Sequence, residues 1–128
     1  MLEEMGSEEN AGIIALTESH LNEEIRDAEI CIKGYEAYRS DRVDYKNGGV
    51  IVYVRSDLNL GVRMLLNLSY SKVEVVILKL ERVDTIFITL YRPPDTTTEV
   101  FHRVLVRVKE IIEINGGHEC SMILTGEW

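Results

Sequence analysis

No apolar run in this 128-residue sequence approaches the roughly 20 residues that a membrane-crossing helix needs. The opening Met1-Leu2-Glu3-Glu4 also lacks the basic stretch and apolar centre of a secretory signal, so the chain reads as soluble and intracellular, the nucleus included, with no membrane partner. Cysteine is scarce. Cys31 and Cys120 stand far apart and fit neither a CxxC pair nor a zinc-ligand spacing, so buried free thiols are expected, without a redox or metal role. Basic charge is scarce as well: 14 Lys and Arg face 22 Asp and Glu, for a formal net charge of −8 and a pI near 4.9. That balance speaks against a tight hold on a phosphate backbone, whose affinity comes largely from Lys and Arg. Repeats, linkers and low-complexity tracts are missing, and the length allows one domain at most.

What is present is enough apolar content, 45%, to form a core. The charge is unevenly placed. Residues 1–30 carry nine acids and a single base, Arg26, while residues 31–128 carry thirteen of each sign. The whole net charge therefore sits in the first quarter, where a solvated acidic end is the plain reading, and the remainder is neutral. Residues 1–11 read as an acidic stub, with Leu2 and Met5 as the apolar contacts of a short helix, and 12–128 as the folded part.

Hydrophobic patterning predicts strands at Ile13 to Thr17, an apolar run expected to be covered on both faces; at Tyr35 to Ser40, alternating with period two; and at Val50 to Val54, a β-branched run after the turn signal Asn47-Gly48-Gly49. Residues 19–33 read as a loop with one helical turn at most. Lys72 to Leu80 and Thr85 to Tyr91 are spaced for an antiparallel hairpin. Thr96-Thr97-Thr98-Glu99 predicts a capping box between Thr96 and Glu99. Phe101, Val104, Leu105, Val108, Ile111 and Ile112 follow at helical spacing, Gly116-Gly117 ends the helix, and Ser121 to Thr125 forms a last strand. The pattern is α/β of the α+β type, with a mixed or antiparallel sheet.

Three of the apolar runs end in a polar residue: Leu16-Thr17-Glu18, Leu90-Tyr91-Arg92-Pro93-Pro94 and Leu124-Thr125-Gly126-Glu127. Strand ends are where a packed scaffold presents reactive groups to solvent while holding them rigidly. The order LTE, a Gly-Gly-Val strand (Gly48, Gly49, Val50), YRPP, then LTG followed by an acid resembles the endonuclease/exonuclease/phosphatase superfamily. Within it, the likeness is to the apurinic-endonuclease-like domain that accompanies the reverse transcriptase of non-LTR retrotransposons. It runs from about Gly12 to Trp128 and covers a little over half of the family's domain.

The resemblance implies a DNase I-like two-sheet β-sandwich flanked by helices, of which this chain is the first and larger part, truncated at both ends. It implies a Mg²⁺-dependent phosphodiesterase, with Mn²⁺ able to substitute, that nicks DNA by hydrolysis. Glu18 matches the metal-binding glutamate, Tyr91 the phosphate-facing tyrosine, and Glu127 the position where the family has an aspartate that aligns the attacking water or the metal. Arg92 is a further candidate phosphate contact. Each has a plainer alternative: a solvated strand terminus for Glu18, a packed ring with a hydrated tip for Tyr91, a surface arginine for Arg92.

Departures from the family pattern are equally specific. Glu127 is one methylene longer than aspartate, which displaces the carboxylate by roughly an ångström, and a shift of that size can cost about a hundredfold in rate. No phosphate-binding asparagine follows at the next position but one, Asn10 does not match the asparagine of the family's first strand, and the closing aspartate-histidine motif is missing. His20, His102 and His118 do not replace it. DNA is thus the partner expected of the complete domain, held weakly or not at all by this chain. A pseudoenzyme or relic interaction module is the competing class, and the phosphatase branch of the superfamily a further one. An exposed sheet edge is expected at the last strand, and with it self-association.

Overall fold

The computed structural model describes residues 12–17, 32–40, 49–116 and 119–127. Seven strands and one long helix follow in the order β1 (Ile13–Thr17), β2 (Tyr35–Ser40), β3 (Val50–Arg55), β4 (Val62–Tyr70), β5 (Val73–Leu80), β6 (Thr85–Tyr91), α1 (Thr98–Ile114) and β7 (Ser121–Glu127). They form two sheets, β1-β3-β2 and β4-β5-β6-β7. Every pairing is antiparallel except β6 with β7, which α1 connects as a parallel pair. The expected mixed α/β architecture of two sheets is present.

Alternation along the strands divides the core into layers. Val73, Val75 and Ile77 of β5 with Ile86, Ile88 and Leu90 of β6 face α1, whose Val104, Val108 and Ile111 cover them. The intervening residues Val76, Leu78, Leu80 and Phe87 face the other sheet and meet Val50, Val52 and Val54 of β3. Strands covered on both sides carry apolar residues at nearly every position, which is why β5 and β6 read as continuous runs and are buried throughout. Each Val, Ile or Leu so buried contributes about 1.5–3 kcal/mol relative to exposure.

Several expectations need correction. β1 is half-buried along its length, and among the described residues it pairs with β3 alone, at the edge of its sheet. β2 keeps its period of two, with Tyr38 and Ser40 toward the sheet interface and Tyr35 on the outer side of β3, but Tyr35 and Arg39 are half-buried, so the outer side is not simply exposed. The helix cap falls one residue later than predicted. Thr97 is the N-cap, its hydroxyl accepting from the Val100 amide at 3.2 Å, so the third helical position is Val100 and no carboxylate can complete a box. Glu99 instead pairs with Arg103 at 3.1 Å. Beyond α1, Gly116 takes the left-handed conformation (φ 77°) that ends the helix where expected.

β4 was not expected at all. Its pairing register to β5 shifts between Met64 and Leu66, and this bulge breaks the period of two on which strand reading depends. Cys120 is a free thiol but only half-buried, packed against the helix-side core. The N-terminal stub, the loop and helical turn in 19–31, Asn47-Gly48 and Cys31 lie outside the described residues. Among the described residues no helix is long and apolar enough to cross a membrane.

Candidate functional site

Along the face where the two sheets meet, the strands change character from one end to the other. β5 runs Leu80, Leu78, Val76 and then Glu74; β6 runs Phe87, Thr89 and Tyr91; β1 runs Ile13, Ala15 and Thr17; β7 runs Ile123, Thr125 and Glu127. Polar residues collect at one end of the sandwich. Glu74 and Thr89 are fully buried there and Tyr91 is 5% exposed, whereas Glu127 is exposed.

Register makes the convergence specific. Tyr91 has Glu74 opposite it on β5 and Glu127 beside it on β7. The Arg92 amide donates to the Glu127 carbonyl at 2.9 Å, so the backbone ladder continues to the ends of both strands. From the other sheet, the Thr17 hydroxyl donates to Oε1 of Glu127 at 2.8 Å, across a sequence separation of 110 residues. At the opposite edge of the same end, Ser40 Oγ donates to the Leu68 carbonyl at 3.0 Å and Asn67 Nδ2 to the Arg39 carbonyl at 2.7 Å. Side-chain hydrogen bonds thus tie the sheets together on both sides of the polar end.

Two of the residues expected at a site, Tyr91 and Glu127, are therefore brought side by side. Glu18 lies outside the described residues, as does His20; its chain neighbour Thr17 is the residue bonded to Glu127. Arg92 is occupied differently from a free surface arginine. Its guanidinium lies 4.1 Å from the centroid of the Phe101 ring, a cation–π contact that holds it against the first turns of α1. His102 is exposed on α1, and His118 is outside the described residues.

Sequence reading gives no role of their own to Thr17, Glu74 and Gly126, although Thr17 and Gly126 stand in the quoted motifs. Glu74 had a visible signal, a lone acid inside the apolar run Val73 to Leu78. Gly126 sits at φ 110°, and a Cβ there would run into the backbone of Leu90, a position that only glycine fills without strain. Thr17 had no signal of its own, because its role depends on β7.

Among the described residues, Thr17, Glu74, Thr89, Tyr91, Thr125 and Glu127 at this end offer oxygen, which suits a hard cation such as Mg²⁺ that keeps several waters and needs one or two carboxylates. Among the described residues no three His, Cys, Asp or Glu side chains cluster closely enough to hold a metal together. A separate recess of about 180 Å³, lined among others by Glu36, Tyr38, Arg55 and Asn59, opens toward the other end of the sandwich. There burial, aided by the hydrogen bond that Tyr38 donates to Glu36 at 2.9 Å, pushes the Tyr38 phenol up to about 12.

Comparison with known proteins bears on the fold. No protein-family model matches the sequence, and no curated protein matches it. Solved structures do. The AP endonuclease LMAP from Leishmania major superposes with a TM-score of 0.60 at 14% identity, over 98% of this chain and 48% of that one. The mannosyl-6-phosphatase Bt3783 of Bacteroides thetaiotaomicron gives 0.61 at 17%, over 98% and 54%. An endonuclease/exonuclease/phosphatase family protein from the same bacterium gives 0.61 at 15%, over 98% and 51%. The chain spans about half the length of these proteins and has their two-sheet fold.

Proposed function

We propose that this chain is part of a Mg²⁺-dependent phosphodiesterase domain, a DNA-nicking endonuclease of the kind that accompanies the reverse transcriptase of non-LTR retroelements, and that the 128-residue chain does not itself turn over. The observation that carries the reading is the meeting of Tyr91 and Glu127 at the ends of β6 and β7, with Thr17, the residue before Glu18, bonded to the same carboxylate. Residues far apart in sequence, each picked out by a motif, converge on one polar end of the sandwich. The likeness to an AP endonuclease structure supports the assignment of chemistry class.

In this reading Glu18 and Glu127 would hold the cation, which would supply charge neutralisation at the phosphate and a more acidic water. Because Oε1 of Glu127 accepts from Thr17, Oε2 would be the oxygen that faces the cation. The Tyr91 hydroxyl donates to a non-bridging phosphate oxygen, where negative charge grows in the transition state. In this reading the family's aspartate-histidine motif has no match in the sequence, and the cation–π contact of Arg92 competes with any reach toward phosphate. Hence the expectation of silence.

The test uses the chain as it stands. Calorimetric titration with Mn²⁺ should show binding that Glu18→Gln and Glu127→Gln each weaken, and supercoiled plasmid should not be nicked above an EDTA control. Metal binding indifferent to both substitutions would remove the site. Mg²⁺-dependent nicking that disappears in Glu18→Gln would overturn the inactivity. A phosphatase reading has one observation in its favour, the equally good superposition on Bt3783. Hydrolysis of p-nitrophenyl phosphate by the wild-type chain, lost in Glu18→Gln, would select it.

A further inference from the structure

The bond between Thr17 and Glu127 has a geometry that the motifs alone do not contain. Both residues end their strands, and among the described residues both strands are sheet edges: β1 in the three-stranded sheet and β7 in the four-stranded one. An ionised carboxylate only accepts hydrogen bonds, so the single hydroxyl proton of Thr17 is committed to Oε1 at 2.8 Å. Threonine is β-branched and stiff at χ1, which makes it a fixed donor rather than a swinging one. Glu127 is the opposite case. Three side-chain torsions separate its carboxylate from a backbone that is itself well held, by the Arg92 amide on one side and by the close packing of Gly126 on Leu90 before it.

We infer that Thr17 is a positioning residue for Glu127: by engaging Oε1 it fixes the long side chain in one rotamer and turns Oε2 toward the metal and its water. The inference rests on the proposed role of Glu127 and deepens it. A glutamate at this position has reach to spare and loses conformational freedom when it binds. The threonine removes that freedom in advance, from the residue next to the other candidate ligand, so the ends of β1 and β7 are set relative to each other before a cation arrives.

The experiment is a double-mutant cycle on Mn²⁺ affinity in the full chain, read by calorimetry and by the side-chain carboxyl ¹³C resonance of Glu127. Thr17→Val should weaken Mn²⁺ binding about tenfold, as expected for loss of a charge-assisted hydrogen bond. Thr17→Ser should restore affinity to within about twofold and keep the wild-type carboxyl resonance, since the donor is retained. In a Glu127→Gln background Thr17→Val should cost little more, because the two act as a unit. Wild-type affinity in Thr17→Val, or an equal loss with and without Glu127, overturns the positioning role. If Glu127→Gln alone leaves affinity intact, the functional reading itself falls and takes this inference with it. Should Thr17→Val fail to fold, Thr17→Ala against Thr17→Ser carries the same comparison, and an unmoved Glu127 resonance in Thr17→Ala overturns it.

Discussion

A methyl group on Gly126 would lie 2.1 Å from the carbonyl oxygen of Leu90 and 2.9 Å from its nitrogen. Both contacts are with backbone of the adjacent strand, which cannot swing aside as a side-chain tip could. Gly126→Ala should therefore cost about 1–3 kcal/mol, from the contact together with the left-handed backbone. Because Glu127 follows directly, the same change should weaken Mn²⁺ binding. Urea denaturation and metal titration on one preparation check both; a stable, metal-binding Gly126→Ala chain would contradict the geometry.

Tyr38 provides a pH test. Its phenol is raised from 10.0 to about 12, by burial first and then by its hydrogen bond and proximity to Glu36. A folded value above the unfolded one means that the contribution to stability is complete below pH 10 and is lost as the pH climbs through about 12. Absorbance titration at alkaline pH should show a late-ionising tyrosine that is missing in Tyr38→Phe. The stability of wild type relative to that variant should fall across the same window. Coincident tyrosine ionisation in both proteins would count against it.

β7, an edge among the described residues, exposes Met122, Ile123 and Leu124 at 48%, 46% and 58%. Apolar residues on both faces of an unpaired edge are a liability for strand-to-strand association. Sedimentation at increasing concentration should show self-association that Leu124→Lys reduces. A monodisperse monomer with a sharp cooperative melt would argue that the edge is harmless.

Arg92 separates a packing role from a phosphate-binding one. Stacked on Phe101, it should contribute about 0.5–1 kcal/mol at this half-exposed location, so Arg92→Gln should lower stability by that amount and leave Mn²⁺ affinity unchanged. The same loss should be absent when Phe101 is already leucine. Undiminished stability in Arg92→Gln would mean that the stacking contributes nothing.

Strands buried on both sides were legible because burial leaves a compositional trace: β3, β5 and β6 are apolar at almost every position. The helix was legible because Val104, Val108 and Ile111 recur at helical spacing. β4 was not, since its bulge between Met64 and Leu66 shifts the phase of an exposed edge strand halfway along. The cap was misread by one residue because three consecutive threonines offer the same chemistry and backbone torsions choose among them. Tyr91 and Glu127 could be named from motifs, but that they are neighbours follows from the parallel pairing of β6 with β7, which no local pattern encodes. Thr17 belongs to the same class of fact.

That parallel pairing also bears on how the chain folds. β7 can join β6 only after the segment from Arg92 to Cys120, α1 included, has closed as a crossover, whereas β5 and β6 meet through a tight turn. Loop closure costs entropy before the contacts it permits can form, so the β5–β6 hairpin is the natural early structure and the docking of β7 a late one. By the same argument the contact of Thr17 with Glu127, across 110 residues, is expected to form later still. Labels on those two strands would report the end of folding, and the polar end of the sandwich exists only in molecules that have finished it.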